Sequence, residues 1–87
     1  MEKATLVKSE LGMHARPAAV IAKIAMAAQD EIWLCANSDK VDATSIIDIL
    51  TLGAVKGTKV VIEIENNEDV TTLNQIIEFF EAGFEEI

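Results

Sequence analysis

Leu11-Gly12-Met13-His14-Ala15-Arg16-Pro17 is where this chain turns from its first strand into its first helix, and it holds the only histidine beside an arginine. Gly12 marks the turn. Pro17 supplies a helix-compatible φ and lacks an amide proton that a first helical turn leaves unpaired, so a helix is expected to start close to Ala15 or Arg16. The residue types suit a phosphate that comes and goes on an imidazole. A neutral imidazole is a competent nucleophile near pH 7, first-turn amides favour an anion, and a guanidinium grips phosphate oxygens in a bidentate fork.

Upstream of this segment, Thr5 and Val7 alternate with Ala4 and Leu6, which reads as a first strand. Downstream, Val20, Ile21, Ile24, Ala25 and Ala28 recur at helical spacing and are expected to form the buried stripe of the helix, with Lys23 off it. A second strand over 31–36, the turn Asn37-Ser38-Asp39 and a short third strand around Val41 read as a hairpin. Ser45-Ile46-Ile47-Asp48 has the S-x-x-D form of a capping box opening a short helix that stops at Gly53. Lys56-Gly57 turns into a half-buried strand over 58–65, where Val60, Ile62 and Ile64 alternate with Val61, Glu63 and Glu65. The last helix follows Asn66-Asn67, with Leu73, Ile76, Ile77 and Phe80 on one face, and Gly83-Phe84 resembles a C-terminal cap with its hydrophobic contact. The order β-α-β-β-α-β-α, with one apolar face per strand, predicts an α+β fold in which an antiparallel sheet is layered with helices on one side.

The 87 residues suit a single domain spanning 1–87, too small to enclose a deep cavity, so chemistry is expected at the surface. No apolar run is long enough to span a bilayer, and the start lacks the apolar core of a signal peptide. Cys35 sits in the apolar run Ile32-Trp33-Leu34-Cys35-Ala36 and reads as a buried structural thiol. One histidine and one distant cysteine offer no metal-ligand spacing. The net charge of −8 argues against nucleic acid. Residues 1–62 hold seven basic and seven acidic side chains, so the deficit lies wholly in 63–87, which reads as a solvated acidic helix.

The chain resembles the HPr family, the histidine-containing phosphocarriers of the bacterial phosphoenolpyruvate-dependent phosphotransferase system. The resemblance is carried over essentially the full length by LGMHARPAA, Ser45 thirty-one residues after His14, Thr51-Leu52-Gly53 and Lys56-Gly57. It implies an open-faced β-sandwich of four antiparallel strands covered on one face by three helices, cytoplasmic and usually monomeric, with no bound metal or organic cofactor. It also implies that His14 accepts a phosphoryl group on Nδ1 from phosphorylated Enzyme I and passes it to an Enzyme IIA domain, with Arg16 helping to hold the phosphate. Such a protein is a carrier with a transient phosphohistidine, not an enzyme.

Ile46, Ile47, Ile49, Leu50 and Leu52 are apolar nearly all round the short helix, more than one buried stripe requires. As the family docks donor and acceptor on such a patch, Ile46, Ile47 and Leu50, with Ala15 at the edge, are the candidate docking residues. Lys23, Lys56 and Lys59 are candidates for a basic rim. Ser45 matches a serine that a dedicated kinase phosphorylates in one large bacterial group, which makes it a regulatory candidate and adds HPr kinase and transcriptional regulators as candidate partners. Asp48 stands where those proteins commonly have glycine and should disfavour that modification by like charge. Two alternatives stay open. The LGMHARPA segment, the region from Asn37 to Ser45 and above all the ending Phe79-Phe80-Glu81-Ala82-Gly83-Phe84-Glu85-Glu86 have the look of the nitrogen-related paralogue NPr, whereas Thr51-Leu52-Gly53 looks like ordinary HPr. A binding-only module, with His14 merely capping its helix, is the alternative from a different class.

Overall fold

The computed structural model describes residues 1–85. Its elements are β1 (Glu2–Leu6), α1 (Ala15–Ala25), β2 (Ile32–Ala36), β3 (Asp39–Asp42), α2 (Ile46–Thr51), β4 (Lys59–Ile64), a 3₁₀ turn (Asn67–Asp69) and α3 (Val70–Glu81). The four strands form one sheet in the order β1-β4-β2-β3, antiparallel throughout. Alternation decides which face is covered. Thr5, Ile32, Leu34, Ala36, Val60, Ile62 and Ile64 are buried toward the helices, while Ala4, Leu6, Trp33, Cys35, Val61 and Glu63 stand on the other, open face.

The β2–β3 connection is a two-residue hairpin turn, with Asn37 and Ser38 both at positive φ (51° and 70°). That geometry matches the strands' own twist, and Asn37 is tolerant of it. Asn37 Nδ2 also donates to the Leu52 carbonyl at 2.9 Å, tying the hairpin to the end of α2. At the far end of the chain the cap is a Schellman motif. Gly83 N–H donates to Phe80 O (2.9 Å) and Phe84 N–H to Phe79 O (3.1 Å), and the Phe84 ring is buried against Phe79 and Phe80 with centroids 5.2 and 5.0 Å away.

Four readings of the sequence need correction. The buried stripe of α1 is Pro17, Ala18, Ile21, Ala22 and Ala25, while Val20, Ile24 and Ala28 are half-buried. The cause is that α1 is flanked by both α2 and α3, and its small residues let neighbouring backbones approach closely. On α3, Thr72 and Phe79 are buried, while Ile77 is only half-buried. Cys35 is half-buried on the open face of the sheet rather than in the core, where partial burial and the nearby Glu63 carboxylate raise its thiol pKa. Finally, the acidic residues of 63–85 are not one helix: Glu63 is on β4, Glu65 and Glu68 follow it, and Glu78 and Glu81 are on α3.

Asp69 has a different fate, being buried at the start of α3. Its two carboxylate oxygens accept from the Gln29 amide (2.8 Å) and the Asp30 amide (3.0 Å), so it fastens the α1–β2 loop to α3. Charge-assisted bonds of this kind offset the desolvation that burying a carboxylate entails.

Candidate functional site

His14 is the N-cap of α1, with extended backbone (φ −128°, ψ −176°). Its carbonyl accepts the first helical bond, from Ala18 N–H at 3.0 Å, which leaves the amides of Ala15 and Arg16 outside the helix's own ladder. The imidazole makes no capping hydrogen bond to that helix and is half exposed. A histidine serving only as a cap would accept from a first-turn amide, and this one does not.

Gly12 places the histidine. It is buried at φ +68°, its amide bonds to Ser9 O at 3.0 Å, and the next amide, Met13 N–H, bonds to Ala54 O at 2.8 Å. A Cβ at this position would lie 2.9 Å from Ala54 O and 3.1 Å from Val55 Cα. Only glycine allows both the left-handed turn and the close approach. The histidine loop is thus clamped to the segment leaving α2, which brings His14 and the candidate docking helix into one region.

Arg16 is exposed, in the first turn of α1, and its Nη2 donates to the carbonyl of Phe84. The Schellman cap that buries the Phe84 ring also presents this carbonyl to the guanidinium. The ring contact was legible from Gly83-Phe84, whereas the carbonyl partner, 68 residues from Arg16, was not.

On α2, Ser45 is the N-cap and its Oγ accepts from Asp48 N–H at 3.2 Å. The reciprocal half of the capping box is absent because Ser45 N–H donates to Asp42 O instead, at 3.1 Å. Ile49 and Leu52 are buried beneath the helix, while Ile46, Ile47 and Leu50 are exposed, Ile47 by 74%. Ala15, at the start of α1, is exposed as well.

The family described as PTS HPr component phosphorylation site matches residues 1–82. The chain belongs to the HPr family. It is accordingly a phosphocarrier of the phosphotransferase system rather than a catalytic enzyme, and HPr membership implies system partners such as Enzyme I and Enzyme IIA. The phosphocarrier protein HPr of Treponema pallidum (strain Nichols) is 32% identical over 84 residues, 97% of this chain and 96% of that one. The phosphocarrier protein NPr of Klebsiella oxytoca is 35% identical over 81 residues, covering 92% and 90%. Among solved structures, HPr-C-His from Thermoanaerobacter tengcongensis shares the fold with a TM-score of 0.89 at 31% identity, covering 100% of this chain and 99% of that one.

Within this HPr fold the three lysines named for a basic rim lie on three different segments. Lys56 is ion-paired with Glu10, Lys23 lines a shallow groove between α1 and α3, and Lys59 begins β4 opposite Leu6 on the open face of the sheet. Among the described residues, no three His, Cys, Asp or Glu side chains gather to hold a metal ion, and no helix is long and apolar enough to cross a membrane.

Proposed function

We propose that this chain is a general HPr-type carrier in a sugar-uptake system, acting in the cytoplasm as a single-domain monomer. In this role His14 takes a phosphoryl group on Nδ1 from phosphorylated Enzyme I and hands it to an Enzyme IIA domain. The observation that carries the reading is the uncapped, half-exposed imidazole at the N-terminus of α1. As the bond from phosphorus to the donor breaks, the Nδ1 lone pair forms the new bond, and the transition state is loose. The protein therefore mainly positions the nitrogen and offers fixed positive potential. First-turn amides supply part of it, about 0.3–1 kcal/mol per interaction at an exposed site. Arg16 supplies the rest by exchanging the Phe84 carbonyl for phosphate oxygens. A shallow site suits a relay, since an intermediate held too tightly is not passed on. Arg16→Ala should slow transfer while the fold persists, and Arg16→Lys should be impaired through loss of the planar fork. Transfer rates equal to wild type in both variants would remove Arg16 from the site.

Ile46, Ile47 and Leu50, with Ala15 at the edge, form the docking face for donor and acceptor in this reading. Ser45 is read first as the cap of α2, and its phosphorylation by an HPr kinase is opposed by Asp48. Phosphoserine at position 45 after incubation with such a kinase would reverse that preference.

An NPr-like role in a regulatory nitrogen-related system is the second reading, favoured by the similarity to the Klebsiella NPr and by the aromatic ending. That ending also has a structural explanation, because Phe79, Phe80 and Phe84 pack on one another inside the terminal cap. Glu86, its last residue, lies outside the described residues. Comparing phosphate transfer from the sugar-type and nitrogen-type Enzyme I separates the two.

A further inference from the structure

The face around His14 has its own charge pattern, set by where the cations go. Lys3 donates to Asn74, Lys8 to Glu81, Lys40 to Glu63 and Lys56 to Glu10, and Lys23 and Lys59 stand at the α1–α3 groove and on the open side of the sheet. Arg16 is held by the Phe84 carbonyl. None of the six lysines contributes an unengaged cation to α2.

What α2 does present is Asp48. It is exposed on the same short helix as Ile46, Ile47 and Leu50, and its backbone amide is taken by Ser45 Oγ. Its carboxylate has no hydrogen-bond or ion-pair partner among the described residues. The apolar character of this side extends beyond the helix. The loop that leaves α2 carries Val55, 66% exposed, and the loop clamped against it carries Leu11, 78% exposed. Glu10 and Lys56, next to these two residues, neutralise each other.

We infer that the protein docking here presents an apolar surface bearing a basic side chain opposite Asp48, so that its complementarity to this carrier is to a carboxylate set among aliphatic groups. The inference rests on the reading of α2 as the docking face and names the chemistry that face selects. A carboxylate drawn into an apolar contact is retained only with a cation or donor across from it. A pair at the edge of an interface acts chiefly on association rate and salt dependence. The carrier's net charge of −8 acts in the same sense, attracting a basic docking surface over long range.

The test measures phosphate transfer from phosphorylated Enzyme I to wild type, Asp48→Asn, Asp48→Lys and Glu68→Lys, at low and at physiological salt. Glu68→Lys makes the same charge change at an exposed residue on the 3₁₀ turn, remote in sequence from α2. Asp48→Asn keeps the backbone cap and guards against a folding defect in Asp48→Lys. The inference predicts that Asp48→Asn raises KM roughly three- to tenfold and Asp48→Lys raises it further, with kcat unchanged. Salt should raise the wild-type KM more than that of Asp48→Asn, and Glu68→Lys should stay within about twofold of wild type. A KM for Asp48→Lys that falls, or that matches Glu68→Lys, would overturn the inference while leaving the carrier role intact. Failure of wild type to take phosphate at all would remove the carrier reading and this inference with it.

Discussion

Gly12→Ala probes how the fold places the histidine, and Gly53→Ala is its internal control. Both glycines lie in the left-handed region, at φ +68° and +61°. An L-residue there costs ~1–2 kcal/mol, and the lower chain entropy of unfolded alanine returns ~0.4–1 of it. Gly53 has nothing within 4 Å of its would-be Cβ, so its substitution should cost about 1 kcal/mol. At Gly12 the methyl would meet Ala54 O at 2.9 Å and Val55 Cα at 3.1 Å, and both are backbone atoms that yield only if the loops separate. Separation breaks the 2.8 Å bond from Met13 N–H to Ala54 O, adding ~0.5–1.5 kcal/mol plus the strain of moving two segments. Gly12→Ala should therefore cost about 2–4 kcal/mol, within the reserve of a small domain, so it still folds. Urea denaturation followed by the fluorescence of Trp33, the only tryptophan, measures both losses. Transfer to His14 should drop at least about tenfold in Gly12→Ala, because a misplaced reacting group is costly. Equal destabilisation of the two variants, or undiminished transfer in Gly12→Ala, would refute the clamp.

Other outcomes follow from particular contacts. Asp69→Ala leaves the Gln29 and Asp30 amides without their acceptor and should destabilise by about 2–4 kcal/mol, with Asp69→Asn milder, read by the same urea titration. Ile47→Glu should weaken Enzyme I binding in calorimetry with the melting temperature nearly unchanged, since the side chain is 74% exposed; unchanged affinity would rule the patch out. The Glu81 carboxyl is held below its ordinary pKa by the Thr5 hydroxyl and then by Lys8. Its contribution to stability is therefore present above the unfolded carboxylate value and lost as pH falls through the lowered one. Glu81→Gln should flatten the acid limb of a stability-against-pH curve, and an unaltered limb would contradict this.

The sequence was most informative where one local rule governed an element. Strand alternation set Val60, Ile62 and Ile64 on one face of a half-buried strand, and the Asn37-Ser38 turn and Gly83-Phe84 cap each announced a backbone geometry. It misled where two neighbours compete for one helix. Helical spacing puts Val20 and Ile24 on one stripe with Ile21 and Ala25, yet the small Ala18 and Ala22 take the buried side between α2 and α3. Contacts distant in sequence left no signal. Nothing in the polar run Asn66–Asp69 marks Asp69 as the buried acceptor for residues 40 and 39 positions upstream, and nothing near Arg16 points to the Phe84 carbonyl. For the candidate site, residue type and spacing single out His14 and Arg16 as candidates, and the apolar excess on α2 announces the exposure of Ile46, Ile47 and Leu50. The Gly12 clamp and the pairing of Lys56 with Glu10 depend on which loop meets which.

The central claim is that His14 carries the phosphoryl group, and intact-mass analysis after incubation with phosphoenolpyruvate and Enzyme I tests it most directly. Wild type should gain one phosphate that acid removes, and His14→Ala none. A phosphate that persists in His14→Ala, or none on wild type with either kind of Enzyme I, would contradict it.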